Sequence, residues 1–135
     1  MKEITVPAQI DRLMEVTAFV DQELEAHDCS MKAHMQIELA LDEILTNIAS
    51  YAYKPGTGDA TIRVDIDPDT RMATIVFLDS GVPYDPLQKA DPDTTLSADE
   101  RQIGGLGIFL VKKTMDDMFY AYEDGKNVLT LKKRI

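Results

Sequence analysis

The chain has 135 residues, 44% of them apolar, which fits one folded domain with one core and excludes an intrinsically disordered chain. Its formal net charge of −10, from 24 acidic and 14 basic residues, argues against nucleic acid as a direct ligand, because phosphate binding uses Lys and Arg. The sequence has neither an apolar run as long as a membrane-spanning helix nor a signal-peptide core, so we expect a cytoplasmic protein without membrane contact.

The first third of the chain predicts one strand and two helices. Residues 2–6 alternate polar and apolar side chains, as a short strand does. Residues 10–25 carry apolar side chains at helical spacing. Ser30 is suited to cap a second helix over residues 31–53, and apolar positions cover so much of that helix that we expect it to be largely buried.

The rest of the chain predicts four strands and one helix around a long connection. Residues 79–101 follow neither periodicity, and an irregular stretch of that length in a compact domain is usually functional or mobile. Asp124-Gly125 is a strong hairpin signal. The predicted elements are strands at 60–66 and 72–78, a helix at 104–115, strands at 118–122 and 128–131, and a basic tail at 132–134.

The order of these elements, β-α-α-β-β-loop-α-β-β, predicts the α+β class. Hairpin-linked strands and helices clustered in sequence favour a two-layer sandwich, in which helices cover one face of a mainly antiparallel mixed sheet. The chain shows no internal repeat and no second composition, so we expect one domain over residues 1–135.

Cysteine and histidine do not indicate a metal site. Cys29 is the only cysteine, which excludes an internal disulfide. No Cys/His cluster has the spacing of metal ligands, and nothing in the sequence joins His27 to His34. We therefore expect both histidines to be ordinary surface residues.

Two polar residues on the second helix form the first candidate for chemistry. Glu43 and Asn47 are four residues apart, so they share one helix face. The amide oxygen of Asn47 is a hard ligand suited to Mg²⁺, and the carboxylate of Glu43 can accept a proton from an attacking hydroxyl. Alternatively, both residues belong to a solvated strip with Asp42, Thr46 and Ser50.

The segment DSGVPYDP forms the second candidate. Asp79 ends an apolar strand, where a carboxylate can accept a hydrogen bond from the exocyclic amine of adenine. Gly81 removes the side chain at the position where a flat base would stack, and Pro83 fixes the direction of the chain. The alternative is a surface turn, since Asp-Ser-Gly is common between strands.

A glycine cluster before an apolar helix forms the third candidate. Gly104, Gly105 and Gly107 let backbone N–H groups approach a phosphate, and the helix N-terminus adds partial positive charge. The cluster has neither the Gly-x-x-x-x-Gly-Lys order nor the Gly-x-Gly-x-x-Gly order of better-known phosphate loops. A flexible joint is the alternative.

Three segments in this order, ELALDEILTNIASYAY, DSGVPYDP and IGGLGIFLVKKTMDDMFY, give the chain a family resemblance. It resembles the anti-sigma-factor serine/threonine kinases, small members of the histidine-kinase-like ATPase superfamily. The resemblance covers nearly the whole chain. It implies the superfamily's α/β sandwich, ATP and Mg²⁺ as ligands, and a lid over residues of about 85–103.

The resemblance also implies residue roles. Asn47 would hold Mg²⁺, Glu43 would be the general base, and Asp79 would bind the adenine amine. Lys89 or Arg101 would reach the γ-phosphate. The residues expected to contact the cofactor are Asn47, Asp79, Gly81, Gly104, Gly105, Leu106, Gly107 and Arg101.

The chain departs from the family near its last hairpin. Gly125-Lys126-Asn127 stands where relatives have Gly-Thr, so Thr130 is the expected substitute for that contact to the nucleotide. Many relatives also carry His four residues after the position of Asn47, where this chain has Tyr51. Glu43, which a protein that only binds ATP does not need, is retained.

Members of the family are typically dimers that phosphorylate a serine or threonine of a small anti-anti-sigma protein and sequester a sigma factor. The resemblance implies these partners and a homodimer here. Two alternatives stay open: a non-catalytic, ATP-responsive module that binds a sigma factor or another regulator, and an ATP hydrolase within a larger assembly. The acidic charge suits a basic protein partner, or serves only solubility.

Overall fold

Five strands form one sheet in the computed structural model, which describes residues 1–54, 56–88 and 105–135. The strands are β1 (Lys2–Pro7), β2 (Asp59–Asp67), β3 (Met72–Asp79), β4 (Asp117–Glu123) and β5 (Lys126–Arg134). Their order across the sheet is β1-β2-β3-β5-β4, and each neighbouring pair is antiparallel. The α+β class is confirmed, and the sheet expected to be mainly antiparallel is antiparallel throughout these five strands.

Three α-helices accompany the sheet in the described ranges: α1 (Leu13–Ala26), α2 (Met31–Asn47) and α3 (Gly105–Thr114). Ser30 caps α2 as predicted, because its Oγ accepts a hydrogen bond of 3.2 Å from the backbone N–H of Ala33. Short 3-10 helices occupy Ile10–Arg12 and Pro86–Gln88. No helix in the described ranges has the length and apolar character that a membrane crossing needs.

The core lies between the helices and one face of the sheet. Residues along β2 and β3 alternate between buried and more exposed positions, so every second side chain joins the core. Phe77 is fully buried, and it stands in register with Ile62 on one side and Leu129 on the other. Because Asp79 follows Phe77 by two residues, its carboxylate is directed to the same, helix-covered face.

The second helix and the basic tail differ from their predictions. The α-helical part of α2 ends at Asn47, and Ile48–Ala52 form a π-helix where a continuous helix to residue 53 was expected. π-Helical turns are rare and are frequent at functional sites. The expected tail at 132–134 is the end of β5, where Lys133 Nζ donates to the carbonyl of Thr114 at 2.8 Å.

Most of the predicted lid and part of the glycine cluster lie outside the described residues. The structure describes the chain as far as Gln88 and again from Gly105, at the start of α3. Lys89, Arg101 and Gly104 are therefore not placed, and the lid over residues of about 85–103 stays a prediction.

Candidate functional site

A cavity of about 140 Å³ lies between the C-terminal end of α2, the segment after β3, and the inner face of β4 and β5. Apolar walls with a few polar groups are typical of small-molecule sites. The polar residues that line the cavity are Asn47, Asp79 and Asn127, together with the tyrosines Tyr51, Tyr84 and Tyr120. The apolar wall includes Ile44, Ile48, Phe77, Val82, Ile108 and Leu129.

Asp79 is a buried carboxylate at the edge of this cavity, with 8% of its surface exposed. Its Oδ1 accepts two hydrogen bonds of 2.9 Å, from the backbone N–H of Gly81 and from Asn127 Nδ2. Both donors use the same oxygen, and no donor among the described residues bonds Oδ2. Hydrogen bonds thus orient one oxygen of the carboxylate, and the other oxygen keeps its acceptor capacity. The bond from Gly81 is the one that an Asx-turn makes, but a surface turn would not bury the carboxylate.

Asn127 is a polar residue of the site to which the sequence analysis gave no role, because it was noted only as part of the departure Gly125-Lys126-Asn127 from the family. It is 6% exposed, and its Nδ2 donates to Asp79 Oδ1 and to the carbonyl of Val82, each at 2.9 Å. Its Oδ1 accepts from the backbone N–H of Tyr84 at 3.0 Å and from the hydroxyl of Tyr120. All four hydrogen-bonding positions of the amide are used, so the side chain holds β5, β3 and the segment after β3 in one arrangement.

The predicted role of Thr130 is wrong. Asn127 and Leu129 line the cavity, whereas Thr130 is one residue out of phase on β5 and belongs to the opposite face of the sheet. The strand period of two is the signal that separates them, because only odd-numbered residues of β5 face the helices. Asn127, not Thr130, is the polar residue of β5 that lines the cavity and contacts Asp79.

Gly81 lies directly against the π-helix. A Cβ atom at this position would lie 2.2 Å from the backbone oxygen of Ala52, and the neighbouring Val82 N–H donates to that oxygen at 2.9 Å. A side chain would separate the segment after β3 from the end of α2. This contact explains the glycine by packing alone, and its expected contact with a flat base stays a prediction.

Tyr53 ties the same region to the sheet. Its hydroxyl donates to the carbonyl of Asp59 at 2.5 Å and accepts from the backbone N–H of Ser80 at 2.7 Å. These bonds join the residue after the π-helix to the start of β2 and the end of β3. Burial raises the pKa of the Tyr53 phenol above its usual value, so the hydroxyl stays protonated at neutral pH.

Glu43 and Asn47 occupy one face of α2 but contact different neighbours. Asn47 lines the cavity, whereas Glu43 packs against the first turn of α3. A Cβ atom at Gly107 would lie 1.9 Å from Glu43 Oε2, so the carboxylate can keep this position only beside a glycine. The neighbouring face of α2 carries Asp42 and Thr46 of the predicted solvated strip, and there Thr46 Oγ1 donates to Asp42 Oδ1 at 3.3 Å.

The start of α3 adds backbone donors to this region. Gly105 begins the helix, and the backbone of Leu106 and Gly107 forms its first turn. The first N–H groups of an α-helix have no partner within the helix, and together with the helix dipole they favour an anion. These N–H groups lie next to Glu43, the carboxylate that the sequence analysis suggested as a general base.

The chain is similar to proteins of one family over nearly its whole length. The profile of the family described as "Histidine kinase-like ATPase domain" matches residues 6–133. The chain is 35% identical over 102 residues to the serine/threonine-protein kinase BtrW of Bordetella bronchiseptica, which is 76% of this chain and 71% of that protein.

Two further relatives carry the name serine-protein kinase RsbW. The protein of Bacillus cereus is 31% identical over 100 residues, which cover 71% of this chain and 61% of that protein. The protein of Listeria monocytogenes is 31% identical over 107 residues, which cover 76% of this chain and 68% of that protein. These matches confirm the family resemblance that was drawn from the three sequence segments.

Proposed function

Because the chain belongs to the histidine kinase-like ATPase domain family, we propose that it binds ATP with Mg²⁺ and phosphorylates a serine or threonine of a small protein. The observation that carries this proposal is the buried carboxylate of Asp79 at the edge of an apolar cavity. One oxygen is held by two N–H donors, and the other is left to accept from a ligand. The kinase names of the relatives support the same activity.

The cavity would hold the adenine ring. An exocyclic amine is a donor, and Asp79 Oδ2 is an acceptor at the edge of the apolar walls. Asn127 uses all of its own hydrogen-bonding capacity within the protein, so we assign it to positioning Asp79 rather than to direct contact with the base. Gly81 keeps the segment after β3 closed against the end of α2 beside the ring.

The phosphates would lie toward the first turn of α3. The N–H groups of Gly105, Leu106 and Gly107 suit anionic oxygens, and family resemblance adds Gly104 and Arg101, or Lys89, to this set. Asn47 lines the cavity, and its amide oxygen is a ligand that suits a hard cation. Mg²⁺, when bound, supplies positive charge that neutralises the phosphate oxygens.

Glu43 would act as the general base. Its carboxylate stands between the cavity-lining part of α2 and the first turn of α3. As the substrate hydroxyl attacks, its proton passes to the carboxylate of Glu43. The new O–P bond forms to the γ-phosphorus, the bond from that phosphorus to the bridging oxygen breaks, and ADP leaves.

The partners follow from the family resemblance. We propose a small anti-anti-sigma-like protein as the phosphorylated substrate and a sigma factor or similar regulator as a second partner. We also propose that the protein is a homodimer and that residues 1–135 form a single domain with a lid at about 85–103. We propose further that it acts in the cytoplasm and does not contact nucleic acid directly. The net charge of −10 favours partners with basic surfaces.

Transfer of labelled γ-phosphate from ATP to an anti-anti-sigma-type protein tests this function. Wild-type protein is expected to label the partner, and Glu43→Gln to lower the rate by about 100-fold or more while ATP binding stays intact. Asp42→Asn is the matched control, because Asp42 is an exposed neighbour that faces neither the cavity nor α3. If the wild type and both variants bind ATP but none of them labels the partner, the result would favour the non-catalytic, ATP-responsive module.

A further inference from the structure

A cluster of one histidine and two carboxylates joins α1 to α2. His34 Nε2 lies 2.6 Å from Asp21 Oδ1 and 3.1 Å from Glu38 Oε1. The imidazole nitrogen and the two carboxylate oxygens all lie within 4.8 Å of one another. The sequence did not indicate this cluster, because Asp21 is on a different helix from the other two residues.

The cluster is separate from the cavity. His34 is in the first turn of α2 and Asn47 ends that helix, so the two residues are thirteen positions and about 20 Å apart along the axis. None of Asp21, His34 and Glu38 lines the cavity. Any ligand of this cluster is thus distinct from the proposed nucleotide and its Mg²⁺.

Each of the two helices contributes a pair of side chains to this contact: two acidic residues from α1, and a histidine and an acidic residue from α2. Asp21 and Glu25 are one turn apart on α1, and His34 and Glu38 are one turn apart on α2. Asp21 and Glu38 both contact His34, and the charge of Glu25 also acts on the imidazole. Among the described residues, the ion pairs of Asp21 and Glu38 are with His34 alone.

A single N–H hydrogen on His34 Nε2 cannot point at both neighbouring carboxylates at once. An imidazole nitrogen carries at most one hydrogen in one direction, yet Nε2 faces carboxylate oxygens of both Asp21 and Glu38. A cation at the point where the three atoms converge would bond the lone pair of Nε2 and both oxygens at once. We propose that Asp21, His34 and Glu38 form a binding site for a divalent transition-metal ion of the Zn²⁺ type.

The distances and charges fit such an ion. Zn²⁺ bonds imidazole nitrogen and carboxylate oxygen at about 2.0–2.2 Å, which places tetrahedral ligands about 3.3 Å apart. The separations of 2.6 and 3.1 Å from His34 Nε2 need shifts of less than about 1 Å, and all three side chains are only partly buried. Two carboxylates balance the charge of the ion, and water completes its coordination.

The ligand set selects against Mg²⁺. Imidazole nitrogen favours Zn²⁺, Cu²⁺ and Ni²⁺, whereas Mg²⁺ prefers oxygen ligands only. An ion held by both helices would also bind the folded state and not the unfolded chain, so it would raise the temperature of unfolding. The site would thereby act as a clamp on the α1–α2 pair.

Titration of the tag-free chain with Zn²⁺, followed by heat and by the melting temperature, tests the site. We expect one ion per chain and a higher melting temperature, with excess Mg²⁺ unable to compete. His34→Ala and Asp21→Asn should each weaken binding at least about 10-fold. His27→Ala is the matched histidine control, and Cys29→Ser controls for the nearby thiol; both should bind as the wild type does.

Imidazole nitrogen resonances of the wild-type protein provide a readout that does not depend on a stable variant. Zn²⁺ should shift the Nε2 resonance of His34 and leave His27 unchanged. Three results would overturn the proposal: binding that survives both His34→Ala and Asp21→Asn, equal loss in His27→Ala or Cys29→Ser, or a His34 resonance that Zn²⁺ does not move.

Discussion

Asn127 Nδ2 donates a hydrogen bond of 2.9 Å to Asp79 Oδ1 between the neighbouring strands β5 and β3, at the position where these two residues pair in register. The bond fixes one oxygen of the buried carboxylate. Because the donor is a neutral amide and not a cation, the bond adds no positive charge beside the carboxylate. The other oxygen therefore keeps the full acceptor character that a nucleotide amine requires.

Asn127→Ala should weaken both the fold and nucleotide binding. The change removes two bonds made by Nδ2 and leaves the backbone N–H of Tyr84 without its acceptor. A buried polar group without a partner costs about 1–3 kcal/mol, so we expect a loss of about 2 kcal/mol in the free energy of unfolding. Denaturant unfolding and ATP titration measure the two effects.

Thr130→Ala serves as the control for that experiment. Thr130 is on the same strand but on the opposite face of the sheet, so its removal should leave ATP affinity unchanged. If Thr130→Ala lowered the affinity and Asn127→Ala did not, the assignment of Asn127 as the positioning residue would be wrong.

Gly107→Ala should displace Glu43. The new Cβ atom would lie 1.9 Å from Glu43 Oε2, so α3 or the carboxylate has to move. We expect only a small loss of stability, because the Glu43 carboxylate is the end of a flexible side chain that can turn away. Phosphoryl transfer should fall at least about 10-fold, because the carboxylate no longer keeps its position. Urea unfolding and a transfer assay measure the change.

In a Glu43→Ala background, Gly107→Ala should raise the free energy of unfolding instead of lowering it. Without the carboxylate, the methyl group has room, and alanine in a helix is more favourable than glycine by about 0.5–1 kcal/mol. A double-mutant cycle therefore isolates the contact between these residues. Equal destabilisation by Gly107→Ala in both backgrounds would show that the contact with Glu43 is not the cause.

Tyr53→Phe should make the protein less sensitive to alkaline pH. Burial raises the pKa of this phenol in the folded protein above the value of about 10 that it has when unfolded. Its contribution to stability is thus complete below pH of about 10 and is lost as the pH rises through the higher, folded-state pKa.

Unfolding in urea at several pH values above neutrality checks this prediction. The free energy of unfolding should fall less steeply with alkaline pH in Tyr53→Phe than in the wild type. At neutral pH the variant should lose about 1 kcal/mol, because its ring no longer bonds Asp59 and Ser80. Parallel pH profiles for the two proteins would contradict the account.

The sequence predicted the strands and helices well, because their signals are local. Period-two alternation located β2, and a nearly continuous apolar run located β3, each within one residue at either end. Ser30 marked the start of α2. The family resemblance pointed to Asp79 and Asn47, which the fold brings to one cavity. The π-helix at Ile48–Ala52 was missed, because its hydrogen bonds span only one residue more than those of an α-helix and five residues are too few to change the apolar pattern.

Contacts between distant segments were beyond the sequence. Asn127 and Asp79 are 48 positions apart, and only the register of β3 with β5 pairs them. The approach of Gly107 to Glu43 and of His34 to Asp21 depends likewise on how one helix packs against another. Residue types alone suggested a phosphate loop and two surface histidines there, because packing geometry has no local signal.

A Mg·ATP titration of the wild type and Asp79→Asn tests most directly whether Asp79 anchors a nucleotide in the cavity. Asp65→Asn, an exposed change on the other face of β2, is the control, and thermal unfolding verifies the fold of each protein. We expect saturable binding by the wild type and the control, weakened about 10- to 100-fold in Asp79→Asn, as the loss of a hydrogen bond to a charged group predicts. Equal affinity in all three proteins, or no binding by the wild type at millimolar ATP, would contradict this role of Asp79.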